Sequence, residues 1–123
     1  MSQYKNHLLL ILIAFSFFFV TGCMVPITVE VKYEVTGSVP RANITYVNFT
    51  GATNRLTDVE LPWSTLFTVT IDRHRSFSSR VSATNFTDGS LTANIYVNGI
   101  LVKTSTDSGS FQSVWISEWI RNW

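Results

Sequence analysis

Residues 27–36 read ITVEVKYEVT, in which apolar and polar side chains alternate without a fault. The apolar set, from Ile27 to Val35, points to one face of an extended chain, and the polar set, from Thr28 to Thr36, points to the other. A period of two with β-branched residues on both faces predicts a strand that is buried on one side. Such a strand needs an apolar layer to cover that side, so the chain must fold as a sheet protein.

The segment 91–106, LTANIYVNGILVKTST, predicts a β-hairpin. Its Asn98-Gly99 pair supplies the two residues with positive φ that a type I′ turn requires. Tyr96 and Leu101 then lie on the outward face, where a partner could contact them. Pairing outward from the turn predicts a buried face that consists of the pairs Val97–Ile100, Ile95–Val102 and Ala93–Thr104.

Short alternating segments separated by turns fill the rest of the chain. Turn residues such as Gly37, Pro40 and Pro62 interrupt the pattern at intervals typical of sandwich proteins. We therefore predict an all-β fold, an immunoglobulin-like antiparallel β-sandwich of about seven or eight strands. Periodicity alone does not distinguish this sandwich from an open barrel. The further predicted strands span 42–46, 56–61, 66–71, 76–84 and 111–117.

The N-terminal segment has the layout of an export signal. Lys5 is its charged residue, and the run from Leu8 to Val20 is apolar apart from Ser16. At about 1.5 Å per residue this run is about 20 Å long as a helix, whereas the core of a bilayer is about 30 Å thick. A cleaved signal is therefore favoured over a permanent span. The alternative is an uncleaved anchor, because the residues up to Val25 extend the run.

The residues Val20-Thr21-Gly22-Cys23 resemble the bacterial lipobox, in which a branched apolar residue and two small residues precede a cysteine. Only a thiol can form the thioether that carries diacylglycerol, and each buried methylene contributes roughly 0.8 kcal/mol to anchoring. We therefore predict lipidation at Cys23. The predicted organisation is a lipoprotein signal peptide over 1–22, a lipidated N-terminus and short tether over 23–26, and a β-sandwich domain over 27–123.

This organisation predicts an exported domain that is lipid-anchored to a bacterial membrane and faces the periplasm or the cell surface. The chain has nine basic and eight acidic side chains, and removal of residues 1–22 takes away Lys5, which leaves the exported part formally neutral. A neutral domain lacks the basic field that holds nucleic acid, so no nucleic-acid partner is predicted. Cys23 is the one cysteine, so no internal disulfide is predicted.

The exported part of the sequence carries no recognisable catalytic or metal-binding pattern. Its single histidine, His74, lies within Asp72-Arg73-His74-Arg75 between two predicted strands. A hydrolase needs a nucleophile together with a base and an orienting acid, and the carboxylates Asp58 and Glu60 do not begin a calcium-binding loop. The sequence therefore predicts a protein that is not an enzyme, with no cofactor, no metal site and no small-molecule substrate.

Two further motifs are interpreted as structural. Pro62 removes a hydrogen-bond donor where a strand must end, and Trp63 can then pack between the sheets. Asn-x-Thr triplets occur at Asn43, Asn48 and Asn85. In a eukaryotic secreted protein these would be glycan sites, but the lipobox indicates a bacterium, so we interpret them as strand and turn residues.

The C-terminal segment VWISEWIRNW holds three tryptophans, Trp115, Trp119 and Trp123. We predict a strand to about Ser117, with Val114 and Ile116 in the core and Trp115 outside, followed by a short helical tail. Trp119 and Trp123 on this tail are candidate contacts for a partner or for the membrane interface. Alternatively, they fold back over the open end of the sandwich.

Four motifs follow one another in the chain: Tyr33-Glu34-Val35-Thr36-Gly37, Ala42-Asn43-Ile44-Thr45-Tyr46, Leu61-Pro62-Trp63-Ser64 and the hairpin at 95–99. In this order they resemble the MmpS family, small membrane proteins first described in mycobacteria, and its bacterial lipoprotein relatives, over residues 31–106. The resemblance implies a membrane anchor, an immunoglobulin-like domain and an accessory role beside a large proton-driven transporter of lipids or siderophores. The lipoprotein signal and the lack of a C-terminal cysteine pair differ from mycobacterial members.

The expected function is that of a membrane-tethered lipoprotein. It would act as a non-catalytic binding or accessory module of the bacterial envelope, with an RND-type transporter or another envelope protein as its partner. A second hypothesis is a free-standing structural or adhesive surface lipoprotein that binds glycan or matrix through outward side chains such as Tyr96 and Leu101.

Overall fold

The computed structural model describes residues 26–121, which form eight β-strands. No helix among these residues is long and apolar enough to cross a membrane. The predicted signal peptide, Cys23 and Trp123 lie outside the described residues. The strands are β1 (Ile27–Gly37), β2 (Arg41–Val47), β3 (Thr53–Glu60), β4 (Trp63–Ile71), β5 (Phe77–Thr84), β6 (Ser90–Val97), β7 (Ile100–Ser108) and β8 (Ser113–Ile120).

The strands pair antiparallel in two sheets of four. The first sheet has the order β4-β1-β6-β7, and the second has the order β3-β2-β5-β8. β2–β3 and β6–β7 are hairpins within one sheet, and the chain crosses between the sheets at the other connections. This arrangement confirms the predicted all-β sandwich and excludes the open barrel.

β1 lies inside the first sheet, paired with β4 on one edge and with β6 on the other. The alternation of apolar and polar residues in β1 explains this position. Val31, Tyr33 and Val35 are fully buried, while Lys32 and Glu34 face outward. The same inward set in β5 and β6 completes the core between the sheets, as predicted. It includes Val81, Ala83, Leu91, Ala93 and Ile95.

Tyr33 connects the two sheets. Its buried ring meets Tyr46 and Phe67 edge to face, at centroid distances of 5.8 and 5.3 Å. Its hydroxyl donates to the carbonyl of Val47 at 2.8 Å and accepts from the backbone N–H of Arg80 at 3.3 Å. Burial raises the pKa of Tyr33 well above its ordinary value. The neutral phenol therefore bridges β2 and β5 of the opposite sheet.

Trp63 opens β4 and packs against the partly buried rim of this core. Its ring lies 5.3 Å from that of Tyr46, with the two planes tilted by 44°. Pro62 precedes it at the connection from β3, where the ladder ends. The structural role predicted for Trp63 is confirmed.

The β6–β7 turn confirms the predicted hairpin, because Asn98 and Gly99 have φ angles of 51° and 79°. Val97 faces Ile100 as predicted, but the register then shifts. Val102 is an extra residue on β7, so Ile95 faces Lys103. The predicted pairs Ile95–Val102 and Ala93–Thr104 are therefore wrong.

The predicted burial on β7 is wrong for the same reason. Ile100, Val102 and Thr104 are exposed, whereas Ala93 and Ile95 on β6 are fully buried. β7 is the edge strand of its sheet and the bulge breaks its alternation, so its apolar residues are not all aimed at the core. The core side of this hairpin belongs to β6.

The C-terminal segment is a strand up to Ile120. Val114 and Ile116 are buried as predicted, but β8 continues past Ser117 to Ile120, and no helical tail forms within the described residues. The physical reason is Ile120, which is buried and pairs with Phe77 of β5. The strand period therefore extends through Trp119.

The three asparagines of the Asn-x-Thr triplets hold turns and irregular strand pairing. Asn85 is fully buried. Its amide nitrogen donates to the carbonyl of Gly109 at 2.9 Å, and its amide oxygen accepts from the N–H of Gln112 at 2.8 Å. The oxygen of Asn48 accepts three bonds within its own turn, and that of Asn43 accepts the N–H of Asp58.

Candidate partner-binding surface

The outer face of the first sheet brings together side chains from all four strands. Lys32 of β1 faces Leu66 of β4 on one side and Tyr96 of β6 on the other, and Tyr96 faces Leu101 of β7. We call these four residues the outer row. Tyr96 and Leu101, the candidate contacts predicted from the hairpin, lie side by side within it.

Hydrogen bonds fix the polar half of this face. The Glu34 carboxylate accepts from the amide nitrogen of Asn94 at 3.0 Å and from the Tyr96 hydroxyl at 3.2 Å. The hydroxyl of Thr104 donates to the amide oxygen of Asn94 at 2.6 Å. The Lys32 ammonium lies 3.9 Å from Glu34 and 5.4 Å from the centre of the Tyr96 ring. The tyrosine ring is thus held in one orientation before any partner arrives.

The pKa of Tyr96 is raised above its ordinary value. Partial desolvation by its neighbours is the largest cause, and the negative charge of Glu34 and the bond to that carboxylate add to it. The phenol therefore stays protonated at neutral pH and remains a donor. This fixes the direction of its bond to Glu34.

β7 borders the outer row with three consecutive exposed apolar residues. Ile100, Leu101 and Val102 are 68%, 48% and 41% exposed. β7 pairs with β6 on one edge, and no described strand pairs with its other edge. Exposed apolar side chains on an unpaired edge are the features that β-strand addition uses. Sequence reasoning placed Ile100 and Val102 in the core and so missed this edge.

β8, the edge strand of the second sheet, lies beside β7 on the same side of the sandwich. Trp115 and Trp119 project outward from it, because they alternate with the buried Val114, Ile116 and Ile120. Trp119 is 56% exposed, and the Arg121 guanidinium lies 5.7 Å from its ring centre. Of the two alternatives for Trp119, the exposed one is found, on a strand instead of a helix. β7 and β8 are thus neighbouring edge strands that both expose apolar side chains.

The turn that holds His74 lies at another part of the molecule. It connects β4 to β5, and the His74 backbone N–H donates to the Asp72 carboxylate at 2.8 Å. Asp72 and Arg75 also exchange backbone bonds, which closes the turn. His74 is therefore a turn residue distant from the outer row.

The sequence matches a known family over residues 23–115, described as Mycobacterium membrane protein. This match covers most of the chain, so the protein belongs to that family, and the MmpS-like resemblance is confirmed. Membership indicates an association with a membrane. No curated protein sequence matches the chain.

Proposed function

We propose that the protein is a membrane-tethered, non-catalytic accessory module of the bacterial envelope that binds a protein partner through the edge of β7 and the outer row. The observation that carries this proposal is the exposed apolar run on β7, at residues 100–102. It lies beside a tyrosine already fixed by Glu34. Hydrogen bonds of β7 would supply affinity, and Tyr96, Leu101 and Leu66 would supply specificity.

The mode of docking follows from the geometry of an edge strand. A partner segment in extended conformation can add to β7 and continue the first sheet as a fifth strand. The bulge at Val102 limits regular pairing to one part of the strand. A partner must therefore match the bulge as well as the apolar side chains, which discourages unselective pairing.

The proposed tether is a lipid on Cys23, with the domain starting at Ile27. Confinement to a membrane raises the effective concentration of the domain for a partner in the same membrane, without any new contact. An RND-type transporter is the partner class that the family resemblance suggests. The family match supports the association with a membrane, and the predicted lipobox supports the lipid on Cys23.

Site-specific photo-crosslinking tests the docking surface. A benzophenone side chain in place of Leu101 should give, in intact cells, one adduct with an envelope protein. The same side chain in place of Phe111 is the matched control, because Phe111 is exposed at the opposite end of β7 and away from the outer row. Equal adducts from both positions, or none from position 101, would contradict the proposal.

Mass spectrometry of the membrane-extracted chain tests the tether. The expected mass is that of residues 23–123 with two or three acyl chains, and the Cys23→Ser variant should lose this modification. An unmodified chain that begins at Met1 in both samples would instead identify residues 8–25 as a permanent anchor.

A further inference from the structure

A groove opens in the second sheet where β2 and β5 separate. Their pairing ends at Tyr46 and Val81, whereas β5 stays paired with β8 down to Phe77 and Ile120. The turn at 48–52 and the first half of β5 therefore form two walls with a gap between them. Apolar side chains line the bottom of this gap, namely Val47, Val69 and Phe77.

The groove has a volume of about 610 Å³, which suits a small polar headgroup with part of its apolar neighbour. Arg75 and Arg80 line it, together with the hydroxyls of Thr50, Thr70, Ser76 and Ser78, and none of its lining residues is acidic. Neither arginine forms an ion pair with any residue between 26 and 121. Two guanidinium groups beside several hydroxyls are complementary to a phosphate group.

The wall of β5 adds backbone donors. The N–H of Arg80 points away from β8 and donates to the Tyr33 hydroxyl. Residues two apart in a strand present their backbone groups to the same edge. The N–H of Ser78 therefore faces the groove as well, on the part of β5 that has left β2. An anion in the groove would meet this donor between the two arginines.

The groove lies at the end of the sandwich where the chain enters. We call this the entry end; it comprises Ile27, the turns at 48–52, 72–76 and 98–99, and the end of β8. Cys23 precedes Ile27 by four residues, which span at most about 14 Å. A lipid on Cys23 would thus hold this end close to the membrane surface.

Charge and apolar exposure at the entry end match such a surface. The turn beside the groove carries Arg73 and Arg75 against one acidic residue, Asp72, and Arg121 lies next to it. Phe49, on the groove's rim, is 64% exposed. At the far end of the sandwich acidic residues predominate instead, with Asp58, Glu60, Asp88 and Asp107 against Arg41. Each arginine near an anionic membrane contributes about 1 kcal/mol of attraction, so this distribution orients the entry end toward anionic lipid.

We propose that the groove binds the phosphate-bearing headgroup of an anionic phospholipid from the membrane that holds the chain, with Arg75 and Arg80 on the phosphate and Phe49 in contact with the acyl region. This site is separate from the β7 surface and shares with the proposed function only the membrane tether. It would set the height and tilt of the domain above the bilayer.

The test uses the full chain, isotopically labelled, in micelles of an uncharged detergent. The probe is dihexanoylphosphatidylglycerol, and the amide resonances of Gly51, Ser76 and Ser78 report on the groove. Saturable shifts at these amides are expected. Dihexanoylphosphatidylcholine should bind at least about tenfold more weakly, because it carries no net charge. Equal affinity for both lipids, or shifts spread over the whole domain, would overturn the proposal.

Variants assign the charge. The double substitution Arg75→Gln and Arg80→Gln should weaken binding at least about tenfold. Arg41→Gln with Arg55→Gln is the matched control, because these exposed arginines lie outside the groove lining, and it should stay within about twofold. Both proteins must keep a dispersed amide spectrum. If the control weakens binding as much as the groove variant, the attraction is unspecific and the site is rejected.

Two further arms separate other occupants. Glycerol 3-phosphate that binds as tightly as the lipid would identify a soluble phosphate ligand and overturn the lipid assignment. A chain without residues 122–123 that binds the lipid at least about tenfold more tightly would show that the C-terminus occupies the groove, and would also overturn it. Neither result bears on crosslinking at position 101, so the two proposals succeed or fail separately.

Discussion

The edge strands β3 and β7, on opposite sides of the sandwich, differ in the residues that they expose. On the side of β3 and β4, β3 carries Arg55, Asp58 and Glu60, and its pairing with β2 is interrupted by a bulge near Asp58. Asp58 has a positive φ of 56°, its N–H donates to Asn43, and its carboxylate lies 3.7 Å from Arg41. Charge and a bulge together discourage edge pairing with another chain.

The side of β7 and β8 shows the opposite choice. β7 also has a bulge and one exposed charge beside it, Lys103, but its exposed residues at 100–102 are apolar, and β8 adds Trp115 and Trp119. The edge of β3 is charged, whereas the edge of β7 exposes apolar residues. Because one small domain contains both, the apolar exposure on β7 is not a general property of the fold. The contrast is the reason to assign partner binding to the β7 side.

Placing charge on β7 removes the difference between the two edge strands, and it should have the largest effect of the changes considered. The double substitution Leu101→Lys and Val102→Lys should reduce partner binding at least about 30-fold, because it removes two central apolar contacts. The free energy of unfolding should change by less than about 1 kcal/mol, since both side chains are exposed. Quantitative co-purification from membranes and urea denaturation measure the two effects. Phe111→Lys is the control for an added charge on another exposed apolar residue.

The contrast assumes that both sides rest on one rigid core, and Tyr33 tests this assumption. Tyr33→Phe should lower the free energy of unfolding by about 1–3 kcal/mol, because the buried groups of Val47 and Arg80 lose their partner. Urea denaturation at pH 7 measures it. Tyr46→Phe, whose hydroxyl accepts a bond from Asn54 at a partly buried site, should cost less.

The same variant has a signature in pH. Because burial raises the pKa of Tyr33 in the folded state above 10.0, its contribution to stability is complete below about pH 10 and is lost as the pH rises through the folded value. The difference in stability between wild type and Tyr33→Phe should therefore shrink between about pH 9.5 and about pH 11. Urea denaturation of both proteins at each pH measures this difference. A constant difference would mean that the phenol does not act as a neutral bridge.

Removal of the charge of Asp58 on β3 should have a smaller effect. Asp58→Val should destabilise the protein by about 1–2 kcal/mol, since a β-branched residue tolerates positive φ poorly. It should also increase self-association in sedimentation velocity, because the edge loses its charge. Asp58→Gly is the paired control: it accepts the backbone conformation, so stability should be nearly unchanged while the charge is still lost. If neither variant self-associates more than the wild type, the charge of Asp58 does not protect the edge of β3.

The smallest expected effect concerns Tyr96 of the outer row and its neighbour Glu34. Glu34→Gln should lower the pKa of Tyr96 toward its ordinary value, because it removes the neighbouring negative charge. A titration of the tyrosine ring resonance by NMR measures this, with Tyr96→Phe for assignment. Stability should barely change, since Glu34 lies on the outward face of β1. A pKa that does not move would show that Glu34 does not hold the ring.

The inward residues of most strands could be predicted from the sequence because alternation and burial share one cause. The faultless pattern of β1 gave its buried face correctly, and Asn98-Gly99 fixed the position of a turn by the φ angles it requires. The outward position of Tyr96 on the hairpin could be predicted as well. Local pattern suffices where one face of a strand is fully covered.

The errors have a different origin, in pairing at a distance. The bulge at Val102 depends on the register between β6 and β7, and no local signal in the sequence of β7 marks it. The strand through Trp119 depends on Ile120 meeting Phe77, which lies far away in the sequence. The network of Glu34, Asn94 and Tyr96 likewise required the register of β1 with β6. Non-local register is the information that one sequence does not carry.

The buried amide of Asn85 has a practical consequence for producing the protein. This residue is the acceptor asparagine of an Asn-x-Thr triplet, and its nitrogen is enclosed and bonded to Gly109. A sugar attached to that nitrogen during synthesis could not fit into the folded domain. Secretion from yeast or animal cells should therefore trap misfolded chains. A bacterial host avoids the modification, and so does a Thr87→Ala change, which removes the triplet at an exposed residue and keeps Asn85.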